Sequence, residues 1–222
     1  MDLLQITAAL QKFSGADLTA TLARIEAGLK GVSASECTTV LSSAGVERQT
    51  LSAAGSLKRI AGQVNVAIHA LGILLCLPHI LEPGEVVEYV SLGAGNTGRD
   101  FDLETNYRVA EFKFIRWRGG AESIRQNSIF KDFFLLASSG SEKRKYLYVL
   151  DTTYPLKFLN AGRALSSVLS KDRRVRDQFH AKFGDRFHRV RDYYFVHRDH
   201  VTIADVSAWV PELIADELDE EE

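Results

Sequence analysis

Several residue types that mark particular protein classes are scarce in this 222-residue chain. It has only two cysteines, Cys37 and Cys76, which argues against a disulfide framework and favours buried free thiols. The stretch from Met1 to Phe13 lacks the basic and continuous apolar parts of a signal peptide. No cysteine pair accompanies the histidines to indicate structural zinc. We therefore expect a cytoplasmic protein.

Asp, Glu, Lys and Arg are absent from one long stretch, Ile60 to Leu81. A membrane span needs about 20 mostly apolar residues, but Gln63, His69 and Pro78 interrupt this stretch. We therefore predict a core helix from about Leu57 to Leu77 that ends near Pro78, and no contact with a membrane.

Charge is distributed unevenly along the chain, although the net charge is only −2. Residues 113–198 contain 19 Lys and Arg against 8 Asp and Glu, a local net charge of +11. In residues 216–222, six of seven positions are acidic. A basic region within a nearly neutral protein is typical of a protein that binds a polyanion such as nucleic acid.

Hydrophobic periodicity predicts three parts: an N-terminal helical region at residues 1–55, an α/β domain at 56–215 and an acidic tail at 216–222. In the α/β domain, a helix, a strand, a hairpin, a helix, a strand and a helix follow one another. This order predicts a mixed sheet with helices covering its faces. The predicted strands are Val86–Leu92, Asp100–Glu104, Arg108–Trp117, Lys145–Leu150 and a last one at Tyr193–Val196.

The hairpin brings acidic residues of two strands together. Glu111 and Lys113 are separated by one residue on a strand, so their side chains share a face. A turn at Thr105–Asn106 would place Asp100 opposite Glu111, whereas a turn one residue later would place Asp102 there. In either register, carboxylates of adjacent strands converge beside a lysine.

Such a group has a clear use in phosphoryl chemistry. Carboxylate oxygens are the ligands that Mg²⁺ prefers, and a bound Mg²⁺ or Mn²⁺ ion lowers the pKa of its water. A lysine beside the ion can position that water or stabilise negative charge in the transition state. The pattern therefore predicts a metal-dependent phosphodiester hydrolase.

Asp102 followed by Glu111-Phe112-Lys113 resembles the motif of the PD-(D/E)XK nuclease superfamily. The resemblance covers roughly residues 57–152 and implies a restriction-endonuclease-like α-β-β-β-α-β core. It implies that Asp102, Glu111 and the main-chain carbonyl of Phe112 bind Mg²⁺ or Mn²⁺, and that Lys113 positions the attacking water. It further implies an endonuclease that acts on nucleic acid, with DNA favoured over RNA, in restriction, repair or phage defence.

The chain also departs from the motif of that superfamily. Phe101, and not proline, precedes Asp102, so Asp100 remains an alternative metal ligand. The helix that many members use to supply a further acid has none between Leu57 and Leu77. Gln126 stands where some members carry a glutamine that contacts metal-bound water or the backbone.

A basic helix is predicted from Arg173 to Phe187. Phe179, Phe183 and Phe187 recur at intervals of four and predict a core-facing stripe. The opposite side is expected to bind phosphates without reading base sequence. The residues expected to do so are Arg173, Arg174, Arg176 and Lys182.

Two other functional interpretations are compatible with the sequence. The fold could serve as a catalytically inactive module that binds nucleic acid or a partner protein, which the missing helix acid favours. Alternatively, the N-terminal helices could form the functional surface, through a homodimer or a partner protein.

Overall fold

The N-terminal part of the chain is helical in the structure, a computed structural model that describes residues 2–43, 46–93, 101–117, 119 and 122–215. Its first helices are α1 (Leu3–Ser14), α2 (Leu18–Leu29) and α3 (Ala34–Ser43). The Asp2 and Asp17 carboxylates cap α1 and α2 by accepting backbone N–H groups of the first turn. The chain divides into two compact units, Met1–Asn65 and Val66–Glu222.

Helix α4 (Arg48–Ile80) has 33 residues and contains the boundary between the two units. It begins earlier and ends later than the predicted helix of Leu57 to Leu77. It continues to Ile80, past Pro78, although a proline there lacks the N–H that would bond the carbonyl four residues earlier and its ring crowds that carbonyl. The next turn still forms, since the Leu81 N–H donates to the Leu77 carbonyl at 3.1 Å.

A five-stranded mixed sheet lies in the second unit, as the sequence predicts for an α/β protein. Its strands lie side by side in chain order. The second strand is antiparallel to the first and to the third, and the third, fourth and fifth are parallel. The strands are β1 (Val87–Val90), β2 (Leu103–Thr105), β3 (Arg108–Lys113), β4 (Arg144–Val149) and β5 (Thr202–Asp205).

Both faces of the sheet are covered, because successive side chains of a strand point to opposite sides. Val109 belongs to a core cluster with the phenylalanines of α5 (Ser123–Ser138). Ala110 and Phe112 belong to a second cluster with the C-terminal part of α4. Since Glu111 and Lys113 alternate with Phe112, the strand turns them toward the α5 side.

Helix α4 is long and apolar enough to cross a membrane, judged by length and composition only. An 18-residue stretch of it has a mean hydropathy of 1.9, and 17% of that stretch is buried. However, Ile73 and Cys76 are fully buried in the cluster that contains Phe112. Gly72 allows this close approach, since a Cβ there would lie 2.7 Å from the Phe114 ring. One face of the helix thus packs on the sheet.

The predicted last strand at Tyr193–Val196 is wrong, because these residues lie in helix α9. The helix begins where the Asp192 carboxylate accepts the Arg189 N–H at 3.0 Å. Tyr193 is fully buried against the ring of Phe179. The remaining helices are α6 (Thr153–Leu159), α7 (Leu165–Leu169), α8 (Arg173–Phe183), α9 (Val190–His197) and α10 (Glu212–Ala215).

Candidate active site

The structure selects one of the two hairpin registers. Strands β2 and β3 pair Leu103 with Ala110 and Glu104 with Val109, so the same register continued by one residue sets Asp102 opposite Glu111. The second alternative, a turn one residue later, is therefore confirmed. Asp100, the alternative ligand, lies outside the residues that the structure describes.

Asp102 is held in place from two sides. Its Oδ2 accepts the backbone N–H of Phe112 at 3.0 Å, and its Oδ1 lies 3.3 Å from His69 Nε2. Only 15% of its side chain is exposed. His69 comes from α4, the helix that lacks an acid, so this helix contributes an imidazole to the site.

Lys113 lies between two carboxylates. Its Nζ is 2.9 Å from Glu111 Oε1 and 3.0 Å from Asp132 Oδ2. Asp132 comes from α5, is 6% exposed and also accepts a hydrogen bond from the Ser128 hydroxyl at 3.3 Å. The site therefore contains an acidic residue that the hairpin motif does not include.

A local sequence signal for Asp132 exists. It lies three residues after Ile129 and four before Leu136, both of which are buried. Positions at these spacings share one face of a helix. A carboxylate on the apolar side of an amphipathic helix must find a partner or pay a desolvation cost, and here the partner is Lys113.

Burial and the charges of neighbouring side chains set the protonation states of Glu111, Lys113 and Asp132. Burial, together with the Asp132 and Asp102 carboxylates, raises the pKa of Glu111 to about 7 against the opposing effect of Lys113. Burial likewise raises the pKa of Asp132. Burial by itself would lower the pKa of Lys113, but Asp132 and Glu111 outweigh it and raise that pKa. Lys113 therefore stays protonated, and one cation faces three carboxylates.

This excess of negative charge fits a divalent cation. Within the described part of the chain, no group of three or more His, Cys, Asp and Glu side chains is spaced to hold a metal. Mg²⁺ commonly uses only one or two protein carboxylates and completes its shell with water and substrate phosphate. Asp102, the residue directly before β2, and Glu111 on β3 are such a pair.

A cavity of about 1200 Å³ opens beside the group. Glu111, Lys113 and Asp132 are among the residues that line it. Four basic residues of α5, α8 and the segment before α8 also line it, and we call this cavity the basic cleft. These residues are Lys131, Lys171, Arg174 and Lys182.

The residues predicted to bind nucleic acid fall into two pairs. Arg174 and Lys182 line the basic cleft, and Lys182 Nζ donates to the Ser138 carbonyl at 2.8 Å. Arg173 and Arg176 are not among its lining residues, and both approach Asp177 of their own helix, at 3.5 and 3.2 Å. The structure thus brings only the first pair to the cleft.

Gln126 is buried but has a different partner from the one anticipated. Its Oε1 accepts a hydrogen bond from Arg163 Nη1, which anchors α5 to the segment before α7. Gln126 is not among the residues that line the basic cleft, although its neighbours Asn127 and Ser128 are. No contact between Gln126 and Glu111 or Lys113 accompanies this arrangement within the described residues.

The three phenylalanines of the predicted stripe belong to the core, as expected, but helix α8 ends at Phe183 and Phe187 lies beyond it. Phe179 is 1% exposed, and Phe183 and Phe187 pack with it against Tyr193. These rings are therefore not available to stack on bases. No family model, curated protein or solved structure matches the chain, so its resemblance to the nuclease superfamily rests on Asp102, Glu111, Lys113 and the elements that carry them.

Proposed function

We propose that this protein is a metal-dependent nuclease that hydrolyses phosphodiester bonds in nucleic acid, with DNA favoured over RNA. The observation that carries the proposal is that Glu111 and Lys113 line the same cleft as several Lys and Arg side chains. An anionic polymer is attracted by the Lys and Arg side chains of the cleft. An acidic group in the same cavity would repel that polymer unless a divalent cation were bound there.

Each residue of the site has a separate task in this proposal. Asp102 and Glu111 hold Mg²⁺ or Mn²⁺, with the Phe112 carbonyl as a further ligand that the family resemblance implies. The ion, when bound, lowers the pKa of a water and neutralises charge on the phosphate. Lys113 orients the attacking water through its ammonium group and stabilises the negative charge that develops on the phosphoryl oxygens.

The positions of the substrate contacts follow from the cleft. Arg174 and Lys182 bind backbone phosphates along α8, so they give affinity without sequence preference. Lys171 extends the same positive surface, whereas Lys131 is paired with Asp172, which also lines the cleft. The order of elements from α4 to β4 agrees with the core that the resemblance implies, which supports the proposal. Activity in restriction, repair or phage defence remains part of the proposal on the resemblance alone.

A second candidate is a catalytically inactive module of the same fold that binds nucleic acid or a partner protein. The observation that favours it is His69, which stands beside Asp102 on the helix where many nucleases place an acid. A site with fewer acidic ligands would bind metal more weakly. The complete set of Asp102, Glu111 and Lys113 favours the enzyme.

The variant Lys113→Ala separates the two functions. For a nuclease, we expect cleavage to fall by about 10²–10⁴-fold, the usual contribution of a positioned acid–base group, while binding to the same oligonucleotide persists. Binding is measured by fluorescence anisotropy in Ca²⁺. Equal binding by both proteins, with no cleavage by either on any substrate, would establish the inactive module instead.

A further inference from the structure

A third carboxylate, Asp132, contacts the site and has no task in the proposed reaction. It lies on the buried side of α5 among phenylalanines, and its closest charged partner is Lys113 Nζ at 3.0 Å. A buried carboxylate is costly unless it is paired. Its position on a helix of 16 residues makes it a rigid anchor, whereas the lysine reaches it through a flexible chain.

Lys113 has two anionic partners, Glu111 and Asp132, and only Glu111 is also a ligand of the proposed metal. Glu111 Oε1, at 2.9 Å, belongs to a carboxylate that the proposed metal also requires. When Glu111 turns its oxygens to a cation, its attraction for the ammonium group weakens. Asp132 is then the carboxylate that still holds Lys113, since α5 fixes it independently of the hairpin that carries Glu111.

We propose that Asp132 is a positioning residue that holds the Lys113 ammonium in the wall of the basic cleft when Glu111 binds metal. This inference rests on the proposed function for its catalytic consequence. Ser128 assists by donating its hydroxyl to the same Asp132 oxygen at 3.3 Å. Without Asp132, the lysine side chain would be repelled by the metal and would extend into the cleft.

The kinetic test is a double-mutant cycle with Asp132→Asn and Lys113→Met. We expect Asp132→Asn to lower kcat by about 10–100-fold, as loss of an orienting partner usually does, with little change in KM. In the Lys113→Met background, Asp132→Asn should lower kcat no further. Asp132→Glu, which keeps the charge, should recover part of the lost activity. Asp199→Asn, a change at a side chain that is 93% exposed, is the matched control.

A structural comparison makes the inference testable even if the wild type cuts nothing. In crystals grown with Mn²⁺, Lys113 Nζ should remain bound to Asp132 in the wild type and be displaced in Asp132→Asn. Calorimetry should show that Asp132→Asn weakens Mn²⁺ binding less than Asp102→Asn does. Absence of cleavage by the wild type would refute only the proposed function.

Three results would overturn the positioning role itself. The first is a Lys113 that keeps its place in Asp132→Asn crystals. The second is a further loss of kcat when Asp132→Asn is added to Lys113→Met. The third is an equal or larger loss of Mn²⁺ affinity in Asp132→Asn than in Asp102→Asn, which would make Asp132 a metal ligand. The double variant removes both charges together, so it controls for an unpaired charge that prevents folding.

Discussion

Replacement of Glu111 by glutamine should stabilise the metal-free protein at high pH, because it removes a carboxylate that the fold disfavours in its charged form. The ordinary pKa of the group is 4.5, and burial raises the pKa of Glu111 to about 7 in the folded protein. Between these values the folded state binds more protons than the unfolded state, so the free energy of unfolding falls as pH rises. Each pKa unit is about 1.4 kcal/mol, which gives a loss of about 3 kcal/mol at pH 8.

The assay is urea unfolding of wild type and Glu111→Gln in EDTA at pH 5 and pH 8. The variant should gain about 2–3 kcal/mol on the wild type between the two pH values, and titrating groups that do not interact with Glu111 cancel in this difference. Glu212→Gln, a change at an exposed residue of α10, should follow the wild-type profile. A Glu111→Gln advantage that is the same at pH 5 and pH 8 would refute the assignment of a raised pKa to Glu111.

Three further predictions concern metal, substrate and packing. The metal binds the ionised form of Glu111, and the pKa of Glu111 is about 7. The affinity for Mg²⁺, measured by calorimetry, should therefore be about tenfold lower at pH 6 than at pH 8. Equal affinities at the two pH values would contradict this. Arg174→Ala should reduce the slope of log affinity for nucleic acid against log salt concentration by about 0.7–0.9. Arg173→Ala removes a side chain that does not line the cleft and should leave this slope unchanged. Equal effects of the two variants would refute the assigned binding surface. Gly72→Ala should lower the free energy of unfolding by about 1–3 kcal/mol, since its Cβ would lie 2.7 Å from the Phe114 ring; an unchanged urea midpoint would show that α4 does not pack there.

The hairpin could be predicted from the sequence because its determinants are local. Alternation with a period of two places Glu111 and Lys113 on one face of β3, and the structure confirms this through the contact of Lys113 with Asp132 on α5. Adjacent strands joined by a short turn allow only a few registers, so pairing of Asp102 with Glu111 was one of two alternatives. The mixed sheet followed from the order of the elements.

The features that the sequence did not predict depend on contacts between residues distant in sequence. Asp132 joins the site only because α5 packs across β3, and local periodicity does not specify which turn of the helix meets Lys113. His69 reaches Asp102 in the same way, from α4. The segment Tyr193–Val196 is aromatic and β-branched, as in a strand, but packing of Tyr193 against α8 and the cap at Arg189 make it helical.

A cleavage assay is the direct test of the proposed metal-dependent nuclease activity. Purified wild type and Glu111→Gln would be incubated with supercoiled plasmid, linear duplex, single-stranded DNA and RNA in Mg²⁺, Mn²⁺ or EDTA. For a metal-dependent nuclease, we expect cutting by the wild type with either metal, no cutting in EDTA, and loss of cutting in Glu111→Gln. Cutting that is equal in both proteins, or no cutting of any substrate together with no metal binding by calorimetry, would contradict it.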